Sequence, residues 1–162
     1  MAATSAVKPA IKAVVYRNTG TDGTPTWTAQ TIIRDVNVSK PWDFGDASTR
    51  ASRAKLFHPT QMDIQVTMTA RCDDADAGYV AIDNAACSAA MLDLLILDGP
   101  ITTEGSRGVR AYFHVSDTGQ DQAIGNILYK NYEFKPGFNT NRLPQYVVMG
   151  SGSSITATDP GS

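Results

Sequence analysis

The sequence predicts a mainly β protein: an antiparallel β-barrel or sandwich with one packed α-helix. Three observations carry that reading. Residues 61–71, QMDIQVTMTAR, alternate without a break, apolar Met62, Ile64, Val66, Met68 and Ala70 against polar Gln61, Asp63, Gln65, Thr67 and Thr69. A period of two marks a half-buried strand. Residues 109–116 repeat it, with Val109, Ala111, Phe113 and Val115 against Arg110, Tyr112, His114 and Ser116. One alanine-rich stretch, residues 75–91, reads instead as a helix, and Gly, Asp and Pro punctuate the segments between.

From the N-terminus, residues 11–17 and 27–38 read as strands joined by the turn-rich NTGTDGTP, a hairpin with a long loop. Residues 39–60 form a long loop before the strand at 61–71. Asp73 and Asp74 offer an N-cap, and the acidic Asp74 and Asp76 suit the positive end of a helix dipole. The helix turns Tyr79, Ile82, Ala86 and Ala89 to one side, and its alanines let it lie close against a sheet. It runs into a strand at 92–97, which Asp98, Gly99 and Pro100 end. Further strands are expected at 124–135 and 145–149. The small, polar tail at 150–162 is expected to be flexible until a partner orders it. Residues 1–162 read as a single domain of about seven strands and one helix, without repeats or a dividing linker.

A chain of 162 residues hides about 70% of its unfolded surface on folding, so a core forms without disulfides or metal. The net charge of −2 speaks against a nucleic-acid clamp, which needs clustered Lys and Arg to displace counterions. MAATSAVKPAIKAVV lacks the unbroken apolar core of a secretion signal, and no apolar run is long enough to span a membrane. The polar face of the helix is acidic, which does not suit a membrane surface. Cys72 and Cys87 show no metal or redox spacing and read as small buried hydrophobes of a reducing compartment, a disulfide being the lesser alternative. His58 and His114 have no partner at metal-ligand spacing. No nucleophile elbow, Walker pattern or dinucleotide fingerprint is present. The expectation is a non-enzymatic protein without cofactor or metal.

Residues 41–59, PWDFGDASTRASRAKLFHP, form the most unusual stretch. Asp43, Phe44 and Gly45 spell the magnesium loop of a kinase, but the Gly-rich loop, strand lysine and catalytic-loop aspartate that must accompany it are missing. Trp42 and Phe44 are instead side chains that bury apolar area in a partner. Asp46, Arg50 and Arg53 can form charged pairs across a seam, and aromatics and Arg are enriched at interfaces. Long strands also present edges, which invite pairing with another copy of the chain.

Over residues 27–148 the order of features resembles the tail tube proteins of long-tailed bacteriophages. A strand ending in RDVNVS leads to a loop with Asp46 and then STRASRAK, similar to the D-x-T-x-R type segment of that family at Asp46, Ser48, Thr49 and Arg50. A strand follows, then an acidic-capped helix reading into LLILDG, a strand ending near Val115, and the late YKNYEFKPG. The resemblance implies a tail tube-like fold, and copies joined edge to edge into rings of six that stack into a tube. It implies a place in the virion tail after assembly in the bacterial cytoplasm. Its partners would be further copies, the tape measure, the terminator, and the tail tip or baseplate, with viral DNA passing through without specific binding. In such a tube the long loop, with Trp42, Phe44, Asp46, Arg50 and Arg53, reaches a neighbouring subunit or ring. Gln61, Asp63, Gln65, Thr67 and Thr69 then line the lumen. The alternatives are a secretion-tube subunit or tail terminator, and beyond these a β-sandwich binding module.

Overall fold

Among the described residues, nine strands hydrogen-bond into one antiparallel sheet and two more form a separate hairpin. The structure, a computed structural model, describes residues 12–49, 54–121 and 127–158. In chain order the elements are β1 (Val14–Asn18), β2 (Trp27–Ala29), β3 (Ile33–Ser39), β4 (Trp42–Asp46), β5 (Phe57–Met62), β6 (Gln65–Arg71), α1 (Ala77–Ser88), β7 (Met91–Leu97), β8 (Arg107–Asp121), β9 (Tyr129–Pro136), β10 (Gln145–Met149) and β11 (Ile155–Thr158). The large sheet runs β2-β1-β7-β8-β9-β6-β3, with β10 attached to β8 and β11 to β10.

β2 and β3 stand at opposite ends of that order, yet only residues 30–32 separate them in the chain. Such a link reaches at most about 14 Å. The sheet must therefore curl until its ends meet. At the crossing, the Gln30 N–H donates to the Val15 carbonyl (2.8 Å) and the Ile32 carbonyl accepts from the Arg71 N–H (3.0 Å). The outcome is the barrel-like β architecture that the alternating strands predict. The expectation of one strand over 27–38 fails here, because the chain changes edges and buries Gln30 and Ile32 as it does so.

The strand at 61–71 also divides. Burial alternates through it as expected, with Ile64, Val66, Met68 and Ala70 inside. Its backbone, however, bonds first to β4 and then, after a break at Asp63 and Ile64, to β3 and β9. The Asp63 N–H donates to the Pro41 carbonyl (3.0 Å), which closes the root of the β4–β5 hairpin. Much of the expected long loop is thus paired strand. Its arginines Arg50 and Arg53 lie outside the described residues. Part of the C-terminal tail, expected to be flexible, is strand too: β11 pairs with β10 from Tyr146↔Thr158 to Met149↔Ile155.

β7 is buried on both faces, which accounts for its nearly continuous apolar sequence. Leu94 and Ile96 join a large core with Val66, Met68, Phe113, Val115, Tyr132 and Phe134. Leu95 and Leu97 join a second cluster with Tyr16, Val147 and Met149 on the opposite face. Each such buried side chain contributes about 1.5–3 kcal/mol. Gly108 lies between them, paired to Leu97 on one side and Val147 on the other. A Cβ there would run into the Ile96 carbonyl, so the position accepts only glycine.

The helix covers the large core. Its cap is Asp76, whose carboxylate accepts from the N–H groups of Gly78 (2.7 Å) and Tyr79 (3.0 Å). Asp73 and Asp74, the expected caps, come too early, and Asp73 pairs with Arg71 instead. Gly78, Tyr79, Ile82 and Ala85 are buried. Ala86 is half-buried against the core as expected. Ala89 is not on that side: it is exposed and ends the helix in the left-handed conformation, with φ 56°.

Candidate assembly surface

The β4–β5 hairpin has one apolar face and one polar face. Residues directly opposite in antiparallel strands share a face. Trp42 opposes Met62, Phe44 opposes Pro59 and Asp46 opposes Phe57 on one side, while Asp43 opposes Gln61 and Gly45 opposes His58 on the other. A register shift after Asp43 accommodates Thr60, whose hydroxyl donates to the Asp43 carbonyl (3.0 Å). Trp42, Phe44 and Phe57 are all exposed, Phe44 by 61%. A two-stranded hairpin is at best marginally stable in water by itself. This one presents an exposed apolar face.

Toward the tip, Asp46 accepts from the Ser48 N–H (2.9 Å) and the Ser48 hydroxyl accepts from the Leu56 N–H (2.9 Å). The Ser48 side chain, then its backbone N–H, holds the Asp46 carboxyl below its usual value. At the root, Trp42 and Met62 line a hollow of about 450 Å³ together with Pro136, Leu143 and Pro144. The Tyr146 hydroxyl meets the Met62 sulfur there. From the run between β9 and β10, the exposed Leu143 thus adds to the apolar surface, and Phe138 in the same run is exposed by 80%.

A second surface is the open polar face of the sheet. One row runs Asn37, Thr67, Glu133, Ser116 across β3, β6, β9 and β8, and the next runs Asp35, Thr69, Asn131, Gly119. The Gln65 amide donates to Glu133 (2.8 Å), and the Thr69 hydroxyl to Asn131 (2.8 Å). Of the five polar residues predicted to share a face, Gln65, Thr67 and Thr69 do so. Gln61 and Asp63 belong to the hairpin and its root, because the strand breaks between them and β6. Glu133 and Asn131 were not predicted, although the alternation in YKNYEFKP, with Tyr132 and Phe134 inside, carries the signal.

At the other end of β8 the same face is covered. Arg110, expected among wet-face residues, is only 5% exposed, and its partner Asp93 only 7%. Arg110 donates to both Asp93 oxygens (3.1 and 2.7 Å) and lies 4.7 Å over the Trp27 ring. Asn18 also donates to Asp93 (2.9 Å). Asp22, from the loop between β1 and β2, accepts from the Tyr112 hydroxyl (3.0 Å) and pairs with Arg142 (3.3 Å) and Arg110 (3.8 Å). Burial, and then the bond to Asp22, pushes the Tyr112 hydroxyl up to about 12. Asp22 is ninety positions from Tyr112, so nothing local in the sequence marks this network. Among the described residues no group of three His, Cys, Asp or Glu side chains could hold a metal, and no helix is long and apolar enough to cross a membrane.

No protein-family model matches the chain, and no curated protein matches it by sequence. Solved structures do match by shape. The tail tube of SPP1 superposes with a TM-score of 0.59 at 8% identity, over 76% of this chain and 72% of that one. A protein of the native gene transfer agent virion gives 0.63 at 8% identity, over 94% and 100% of the two chains. A protein in the C6-symmetric tail of the empty gene transfer agent particle gives 0.62 at 9% identity, over 82% and 96%. The mostly antiparallel sheet with its single described helix is the tail tube-like fold of these neighbours.

Proposed function

We propose that this chain is a structural tail protein whose copies join into rings of six and stack into a tube that conducts viral DNA. The observation that carries the reading is the uncovered apolar face of the β4–β5 hairpin, on a fold shared with tail tubes. Trp42, Phe44 and Phe57 are the anchors that a neighbouring copy covers, since buried aromatics dominate interface energetics. Asp46 shares their face, and Arg50 and Arg53, which lie outside the described residues, are proposed as its charged partners across the seam. The sheet also ends in edges at β2, β3 and β11 that lack a second strand partner among the described residues, and such edges accept pairing from another copy. Tape measure, terminator and tail tip or baseplate proteins are the further partners, in a virion tail assembled in the host cytoplasm.

The open polar face, with Gln65, Thr67, Thr69, Asn131 and Glu133, lines the lumen in this reading. Amides and hydroxyls with few cations do not neutralise phosphates, and so let DNA slide past. Electron microscopy of the purified protein at rising concentration tests the proposal. Stacked rings or tubes are expected. Single rings that never stack point to a terminator, and a protein that stays monomeric at every concentration refutes assembly.

A further inference from the structure

We infer that Arg142, held by Asp22, is a positioning residue for the assembly surface. This deepens the reading of the hairpin face as the contact between copies, and rests on it. Residues 137–144 form no strand or helix, yet they carry Phe138 and Leu143, two of the most exposed apolar side chains of the molecule. Such a run needs a tether to hold those side chains in a fixed place. The Gly137 N–H bonds to the Tyr112 carbonyl (2.8 Å) at one end. The Asn141 N–H turns back locally on Asn139 (2.8 Å). Arg142 then reaches down to Asp22 with its side chain only 16% exposed.

Neighbouring residues thus have opposite fates: Arg142 is half-buried against the charged network and Leu143 is exposed. A largely covered guanidinium is favoured beside a carboxylate, and removing one partner leaves the other charge poorly solvated. The Asp22 carboxylate is in turn held by Tyr112 and Arg110, and Arg110 by Asp93 on the doubly buried β7. The rigid centre of the sheet is therefore connected, residue by residue, to Leu143. Leu143 and Pro144 form one wall of the hollow whose other wall is Trp42 and Met62. Arg142 consequently sets the hairpin root and the adjacent loop in one register, so that both halves of the apolar surface meet a neighbouring copy together.

The test uses the full chain with Arg142→Gln, Arg142→Lys and Asp22→Asn. Arg142→Gln is expected to raise the concentration needed for assembly at least tenfold while the folded monomer keeps its circular dichroism. Amide exchange should quicken in 137–144 and in β5, and stay unchanged in β7 and α1. Arg142→Lys, which keeps the charge, should recover most of the assembly, and Asp22→Asn should behave like Arg142→Gln. Assembly of Arg142→Gln at the wild-type concentration, or unchanged exchange in 137–144, overturns the inference. Loss of the whole fold in both Arg142→Gln and Asp22→Asn also overturns it, because the network would then be structural throughout. If the wild-type chain never assembles, the proposed function fails, and amide exchange alone decides the role of Arg142.

Discussion

Lys130 Nζ lies 2.6 Å from the Asp83 carboxylate and joins the helix to β9. The Tyr132 hydroxyl donates to the same carboxylate at 2.9 Å, and Asp117 adds a second anion 3.6 Å from Lys130. The hydrogen bond from Lys130 holds the Asp83 carboxyl below its ordinary 3.8, against burial, which raises it. The same bond raises Lys130 above its ordinary 10.5. For Asp83, stability is present above the unfolded value and is lost as pH falls through the lower folded value. For Lys130, it is present below the unfolded value and is lost as pH rises through the higher folded value.

Asp83→Asn should therefore destabilise the protein by about 1.5–3 kcal/mol at neutral pH, the range for hydrogen bonds to charged groups. The gap should close in acid, once Asp83 is protonated in the native protein as well. Thermal unfolding followed by circular dichroism across pH measures it. A gap that is the same at every pH would show that the carboxylate charge is not what ties the helix down.

Gly78→Ala should reverse the usual sign of a helical glycine substitution. In an open helix the change gains about 1 kcal/mol. Here the new Cβ would overlap Gln30 Oε1, a buried oxygen without a hydrogen-bond partner. A loss of about 1–3 kcal/mol is expected, as for other overpacked sites. Gln30→Ala in the same chain should recover much of it, and additive losses in the double mutant would mean that the two residues do not press on each other.

Ala89→Gly should stabilise, by about 1 kcal/mol, because a left-handed non-glycine residue carries a steric cost of that order. Chemical denaturation resolves a change of this size. A destabilised Ala89→Gly would contradict the helix end described above.

Much of the fold was legible because burial writes itself locally. Ile64, Val66, Met68 and Ala70 declare an inner face by spacing alone, and β10 appears at the predicted residues 145–149. What spacing cannot report is the hydrogen-bond partner. Alternation continues through Asp63 and Ile64 although the chain there leaves one sheet for another. The three aspartates Asp73, Asp74 and Asp76 are equal as caps until the backbone chooses one. Arg110 and Tyr112 alternate like wet-face residues, yet Arg110 is buried beside Asp93 and Trp27 and Tyr112 is half-buried, with Asp22 carried to both by a distant loop. At the candidate site, Trp42 and Phe44 stood out as exposed aromatics in a loop. Their shared face with Phe57 depends on a strand register across a turn, which composition does not contain.

Within the proposed tube, Thr67→Lys should leave ring formation intact, since Thr67 is exposed and packs in neither core. Particles carrying it should release DNA more slowly, and most visibly at low salt, where phosphate attraction is least screened. Fluorescence of a dye that binds ejected DNA follows the rate. An unchanged rate at low salt would place the polar face away from the channel.

The apolar face of the hairpin is best probed by sedimentation velocity on the wild-type chain beside Phe44→Ser with Phe57→Ser. Both positions are solvent-exposed in the single chain, so the variant should keep its fold and thermal midpoint. The wild-type protein should sediment as rings or longer assemblies, and the folded variant as a monomer at the same concentration. A variant that assembles as readily as the wild type would show that copies do not meet through this face.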